Sequence, residues 1–308
     1  MEIYLPIAEQ SMNVFVLLGL GAAAGLLAGM FGVGGGFLAT PLLIFVGIPP
    51  AVAVASQANQ VVANSVSSLQ VHWRRGNVDF RMGLVLLLGG MIGSSAGVAL
   101  FTYLKRIGQI DFVIAVLYVV MLSAIGLLML AESLSTYVKR RRNPGAPRGK
   151  LHTHYLVHRL PLKLRFYKSK LYISALLPVG LGFVIGILSA ILGVGGGFVL
   201  VPAMIYLLGM PTAVVIGTSN FQILFVAANV TFLQATTNGT VDVVLALLLI
   251  LGGVVGAPIG SRLAAKLPGV VLRGLMSVLI LAVAAELLIE LLRTPSSPFS
   301  LGPREVNP

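Results

Sequence analysis

The feature that most limits what this chain can fold into is a glycine-rich phrase that occurs twice. Gly32-Val33-Gly34-Gly35-Gly36-Phe37 returns as Gly193-Val194-Gly195-Gly196-Gly197-Phe198, an offset of 193 − 32 = 161. Upstream, Gly19, Leu20, Gly21 and Gly25 are matched by Gly180, Leu181, Gly182 and Gly186; downstream, Pro41 and Pro50 are matched by Pro202 and Pro211. Further on, Gly76, Asp79, Gly89, Gly90, Gly93 and Gly97 answer to Gly239, Asp242, Gly252, Gly253, Gly256 and Gly260, at an offset of 163. The chain is an internal duplication, each half built round a break in a buried helix.

The surroundings of these breaks are membrane-like. The 308 residues are 57% hydrophobic and 10% charged, with mean hydropathy +0.99, against about 25% charged in a soluble domain. Apolar runs fall at about 12–31, 37–48, 51–71, 80–103 and 109–131 in the first half. The second half repeats them at about 171–192, 198–209, 212–234, 241–264 and 269–292. Most have the ~20 residues that cross a hydrocarbon core. The second run of each half is short: 12 residues give roughly 18 Å, which predicts a half-helix or one arm of a broken helix. No alternating pattern of a β-barrel is present. The expected fold is an all-α integral membrane protein with two homologous halves, 1–131 and 171–308, joined by a basic linker at 132–170.

The formal net charge of +12 is concentrated where a membrane protein keeps it. Eleven of the 21 Lys and Arg lie between Lys139 and Lys170, which marks a cytoplasmic linker and argues against nucleic acid as a partner. Within it, Tyr155–Lys170 reads either as a basic strip on anionic head groups or as a topology signal in a flexible loop. Met1–Pro6 lacks the basic start of a cleaved signal peptide, so the first span is expected to stay. Counting Lys and Arg does not separate short segments that cross from short segments that turn back. The loops are more telling. His72-Trp73-Arg74-Arg75-Gly76-Asn77 is basic, while its partner Gln234-Ala235-Thr236-Thr237-Asn238-Gly239 is uncharged. Equivalent loops of opposite character suggest opposite sides of the membrane, hence an inverted repeat with both termini outside.

The glycine runs carry the chemistry. Backbone that turns inside a bilayer must be buried in protein or line a polar cavity. Gly34–Gly36 and Gly195–Gly197 each precede an apolar segment, so their N–H groups sit at a helix N-terminus, where unpaired donors and the dipole favour an anion. The competing role is close helix packing. A nucleotide-type phosphate loop needs Gly-Lys-Ser/Thr, whereas Gly-Phe-Leu and Gly-Phe-Val follow here. Neutral amides lie on the next segment of each half. Asn59, Gln60, Asn220 and Gln222 are candidate anion contacts, with interhelical bonding as their alternative. Ser67, Ser68 and Asn229 read as helix–helix bonds. Asp79 and Asp242 open matching segments and read as N-caps. Glu286 is a candidate proton carrier, or else lies near the outer interface with Glu290. His152, His154 and His158 have no acidic or thiol partner nearby, and there are no cysteines. No metal, cofactor or catalytic constellation is expected, and neither is an enzyme.

With these residues in place, the chain resembles the sulfite exporter TauE/SafE family of permeases. The resemblance rests on Gly29–Phe37, its echo at Ala190–Phe198 and the proline spacing, and it spans about residues 13–292. It implies a transporter of sulfite, organosulfonates or other small organic anions in the bacterial cytoplasmic membrane. It leaves room for a coupled proton or cation alongside the membrane lipids. An anion channel, a carboxylate transporter and a membrane scaffold remain alternatives.

Overall fold

The computed structural model describes residues 2–31, 36–142, 163–169, 171–266 and 269–292. In the first half a hairpin, β1 (Glu2–Leu5) and β2 (Gln10–Asn13), leads into five helices: α1 (Val14–Phe31), α2 (Gly36–Phe45), α3 (Pro50–Arg74), α4 (Phe80–Arg106) and α5 (Ile110–Arg142). The second half repeats this with β3 (Lys163–Phe166), β4 (Leu171–Ser174), α6 (Leu176–Leu192), α7 (Gly197–Tyr206), α8 (Thr212–Leu233), α9 (Val243–Lys266) and α10 (Gly269–Leu292). Among the described residues five helices, α4, α5, α8, α9 and α10, are long and apolar enough to cross a membrane; α1, α2, α6 and α7 are shorter apolar helices. The expected segments match these helices closely. The exceptions are α5, which runs past the expected end at 131, and 171–174, which is a strand.

The hairpins extend the duplication to the start of each half. β1 and β3, and likewise β2 and β4, are spaced by the same 163 − 2 = 171 − 10 = 161. The described part of the expected basic strip is therefore a strand and turn, pinned by Lys168 Nζ donating to Gly76 O at 3.3 Å and by Arg81 and Arg165 over the Tyr167 ring. His152, His154 and His158 lie outside the described residues.

The halves do not pack as separate bodies. Helix α1 lies along α9, and α6 along α4, through stripes of small residues. A Cβ added at Gly21, Gly25 or Gly29 would stand 2.6, 2.5 or 2.1 Å from the backbone oxygens of Leu249, Gly253 or Ala257. One added at Gly89 or Gly93 would stand 2.0 Å from Val179 O or Phe183 O. Residue numbers rise together along both seams, so each pair is parallel. Helices α5 and α10 pair antiparallel, with Gly126 against Leu281 and Gly274 against Ser133.

Side-chain bonds sort the connections into two ends of the bundle. At one end Gln10 Nε2 donates to Gly47 O, Ile7 N to Asp242 Oδ2 and Lys105 Nζ to Asn238 O. The chain thus enters α1 and leaves α2 at the same end, so the two helices run back on each other. At the other end Ser169 N and Oγ donate to Asp79 Oδ2, and Gly217 packs on Asn77. Both aspartates cap helices: Asp79 Oδ1 accepts from Met82 N and Asp242 Oδ1 from Leu245 N. Glu286 and Glu290 lie on the exposed face of α10.

Candidate functional site

The second glycine run shows why the phrase needs glycine. After α6 ends at Leu192, Gly193, Gly195 and Gly196 take φ of +68°, +70° and +74°. Left-handed backbone costs an L side chain about 1–2 kcal/mol per residue. Space excludes side chains as well: a Cβ on Gly193 would lie 2.3 Å from Val54 O, and one on Gly196 2.2 Å from Ile185 Cγ2. Tyr118 of α5 holds the break from the side, its hydroxyl donating to Leu192 O at 2.5 Å. Helix α7 then starts without a side-chain cap, so backbone N–H groups alone form its positive end.

The starts of α2 and α7 meet. Phe37 and Phe198, the first side chains after each run, stack with centroids 4.6 Å apart and planes 7° from parallel. A Cβ on Gly36 would stand 3.3 Å from Val194 Cα, and one on Gly195 would touch both Val61 of α3 and Ile223 of α8. Val61 and Ile223 are each the twelfth residue of their helices, so the meeting point lies near mid-length of both. Its immediate surroundings are apolar. The space beside the stacked rings is about 10 Å³, between Tyr118, Leu122, Leu192 and Val194, which holds one water at most.

Room for a solute lies beside the first break instead. A cavity of about 500 Å³ is walled by the last turns of α1 at Ala28 and Gly29, by α3, by Asn220 of α8, and by α9 at Gly253, Ala257 and Pro258. Its polar wall is Asn64, Ser67, Ser68 and His72, which follow one face of α3 toward the basic end. Ser67 and Ser68, expected as helix–helix contacts, line the cavity instead. Their spacing from Asn64 and His72, of three, four and eight residues, is the one-face pattern that marks them as a shared lining.

The residues expected to bind substrate divide. Gly34 and Gly35 lie outside the described residues. Gly36, Gly195, Gly196 and Gly197 are buried and converge. Asn220 lines the large cavity, although its Nδ2 donates to Ile216 O at 2.7 Å. Asn59 Nδ2 folds back on Ser56 O at 3.4 Å. Gln60 is fully buried and joins three helices: its Nε2 donates to Gly21 O and Leu249 O, and its Oε1 accepts from Gln57. Gln222 is also fully buried, but neither amide atom has a partner. The structure pairs Gln60 with Gln222 rather than Asn59 with Asn220. Gln60 packs on Gly253 and Gln222 on Gly90, and the helices are capped at Pro49 and Pro211, which shifts the offset to 162. One extra residue in the α7–α8 connection accounts for the shift. Among the described residues no group of three His, Asp or Glu is placed to hold a metal ion.

Comparison with known proteins agrees with this architecture. A family described as Sulfite exporter TauE/SafE matches residues 17–287. A Bacillus subtilis protein named probable membrane transporter protein YjnA is 30% identical over 90% of this chain and 100% of its own length. A probable membrane transporter protein of Xylella fastidiosa is 30% identical over 82% of this chain and 86% of its own. Another from Bacillus subtilis, YunE, is 25% identical over 91% and 98%. No solved structure matches the chain.

Proposed function

The chain belongs to the sulfite exporter TauE/SafE family, and from that premise we propose that it is a secondary transporter for a small sulfur-containing anion, sulfite or an organosulfonate. The membrane is the bacterial cytoplasmic membrane, and the anion is held between the two glycine-rich helix breaks. The observation that carries this reading is the meeting of the N-termini of α2 and α7 at mid-bundle, marked by the Phe37–Phe198 stack. Two positive helix ends converging on one point favour an anion. The cavity beside the end of α1 supplies the approach, with amide, hydroxyl and imidazole groups and, among the described residues, no carboxylate in its wall. In the described state the helix ends are closed round apolar side chains, so occupation requires Phe37 and Phe198 to part.

An inverted repeat accounts for the two ends of the bundle. The first hairpin, β1–β2, and the second, β3–β4, sit at opposite ends, as do the α2–α3 and α7–α8 connections. Arg74, Arg75, Arg81, Arg165 and Lys168 gather at the end carrying β3–β4. That is the cytoplasmic end by the excess of basic residues; it carries the linker between the repeats, expected at 132–170 and, with α5 reaching Arg142 and β3 opening the second half, narrowed to 143–162.

Flux of labelled sulfite and of an organosulfonate into proteoliposomes tests the proposal. Saturable uptake is expected, lost in Gly196→Leu and in Gly35→Leu. Full activity in both variants removes the site. Unsaturable flux carrying current identifies a channel, and uptake of carboxylates alone overturns the sulfur assignment. Imposed pH and sodium gradients in the same vesicles identify the coupled proton or cation.

A further inference from the structure

The 500 Å³ cavity has a counterpart related to it by the duplication, and that counterpart is filled. At the structural offset of 162 on α3 and α8, the cavity residues Ser67, Ser68 and His72 correspond to Asn229, Val230 and Gln234. Gly29 corresponds to Ala190 at 161, and Ala257 to Ser94 at 163. In the second position these residues touch. Ala58, Val98, Ala190 and Val230 form a buried apolar cluster. Asn229 Nδ2 donates to Ser94 Oγ at 2.9 Å and Ser95 Oγ at 3.2 Å, tying α8 to α4. Gln234 Nε2 donates to Ala190 O at 3.4 Å, tying α8 to the end of α6. The same places on the other side line the cavity: Ser67 Oγ bonds within its own helix, to Ala63 O, and no bond ties His72 Nδ1, which is buried, to a neighbouring helix.

Symmetry of framework with asymmetry of packing has a mechanical meaning. A duplicated bundle built on equivalent backbones can take two arrangements, in which the open and the filled positions change places. We propose that the cavity is the open vestibule of the transport path at the basic end, and that Asn229, Gln234 and the Ala58–Val98–Ala190–Val230 cluster are the closed gate at the opposite end. Opening that gate converts the filled position into the second vestibule, while Ser67, Ser68 and Gly29 close on α9. A cavity of this size lies within the ~300–1,000 Å³ of small-molecule sites. The proposal rests on the transport reading and adds to it which end is open and which contacts hold the other shut.

The chain contains no cysteine, so single thiols report accessibility without background. Ser68→Cys and Val230→Cys are placed in reconstituted protein and treated with a membrane-impermeant anionic methanethiosulfonate from each side separately. Ser68→Cys is expected to react from the basic end and Val230→Cys from neither. Adding Asn229→Ala, or independently Ser94→Ala with Ser95→Ala, is expected to raise Val230→Cys labelling from the opposite end about tenfold and to slow Ser68→Cys labelling. The proposal is overturned if Val230→Cys reacts as readily as Ser68→Cys with the gate intact. It is overturned equally if both react from the same side, or if both gate backgrounds leave the rates unchanged. Labelling needs no substrate. Expected labelling without anion flux therefore defeats the transport reading alone, and flux with uniform labelling defeats the gate alone.

Discussion

In the first half Gln60 donates to the backbone of α1 and α9, while in the second half its counterpart Gln222 lies buried against α4 without a partner. The same contrast recurs at the aspartates. Asp79 accepts from Met82 N, Ser169 N and Ser169 Oγ, whereas Asp242 accepts from Leu245 N and Ile7 N. The backbone framework is shared down to the spacing of the hairpins, yet the polar bonds laid over it are not. Seams of glycine set where helices can lie, because close backbone approach tolerates no side chain. Polar side chains then set how firmly each seam is held, and there the two halves have diverged.

The severest way to break this comparison is to put a side chain into equivalent places on the two seams. A Cβ on Gly93 would stand 2.0 Å from Phe183 O, and one on Gly256 2.0 Å from Ala22 O. Both are backbone contacts that no rotamer change relieves. Gly93→Leu and Gly256→Leu are each expected to destabilise by about 3 kcal/mol or more, read as loss of folded protein in detergent. Survival of one with loss of the other would show that the seams are not equivalent. Asp79→Ala and Asp242→Ala should have the next largest effect. Each removes a helix cap, for about 0.5–2 kcal/mol, and the contacts to the other half's hairpin besides. Asp79→Ala is expected to lower the thermal midpoint further, since Ser169 loses two bonds where Ile7 loses one.

Much of this was legible from residue order alone. Ten apolar segments, the N-capping aspartates and the repeated break follow from composition, spacing and duplication, all of which are local. The hairpins were missed because Glu2–Leu5 and Lys163–Phe166 are four-residue strands, too short for alternation to show. Partner exchange between halves was missed because it is a matter of which equivalent surface each helix finds, and both surfaces carry the same glycines. The vestibule was half visible. Asn64, Ser67, Ser68 and His72 form one polar stripe on α3, but a stripe reads alike whether it faces a cavity or another helix. Gln60 illustrates the same limit. A buried amide can satisfy a carbonyl or an anion, and only the positions of Gly21 and Leu249 decide.

Gln60 and Gln222 also give the mildest and most discriminating test. Replacing Gln60 by Leu removes donors to two carbonyls that span α1 and α9, at roughly 0.6 kcal/mol per interhelical bond in a membrane protein, so a loss of about 1 kcal/mol is expected. Replacing Gln222 by Leu removes a buried amide whose oxygen and nitrogen are both unpartnered. Such a group carries its desolvation cost uncompensated, so the variant is expected to be neutral or more stable in thermal unfolding. If the unfilled bonds of Gln222 are made only when the bundle adopts its other arrangement, Gln222→Leu should also slow turnover while leaving the thermal midpoint unharmed. Equal destabilisation by both substitutions would mean that Gln222 is bonded in the resting protein after all, and that the two seams are held alike.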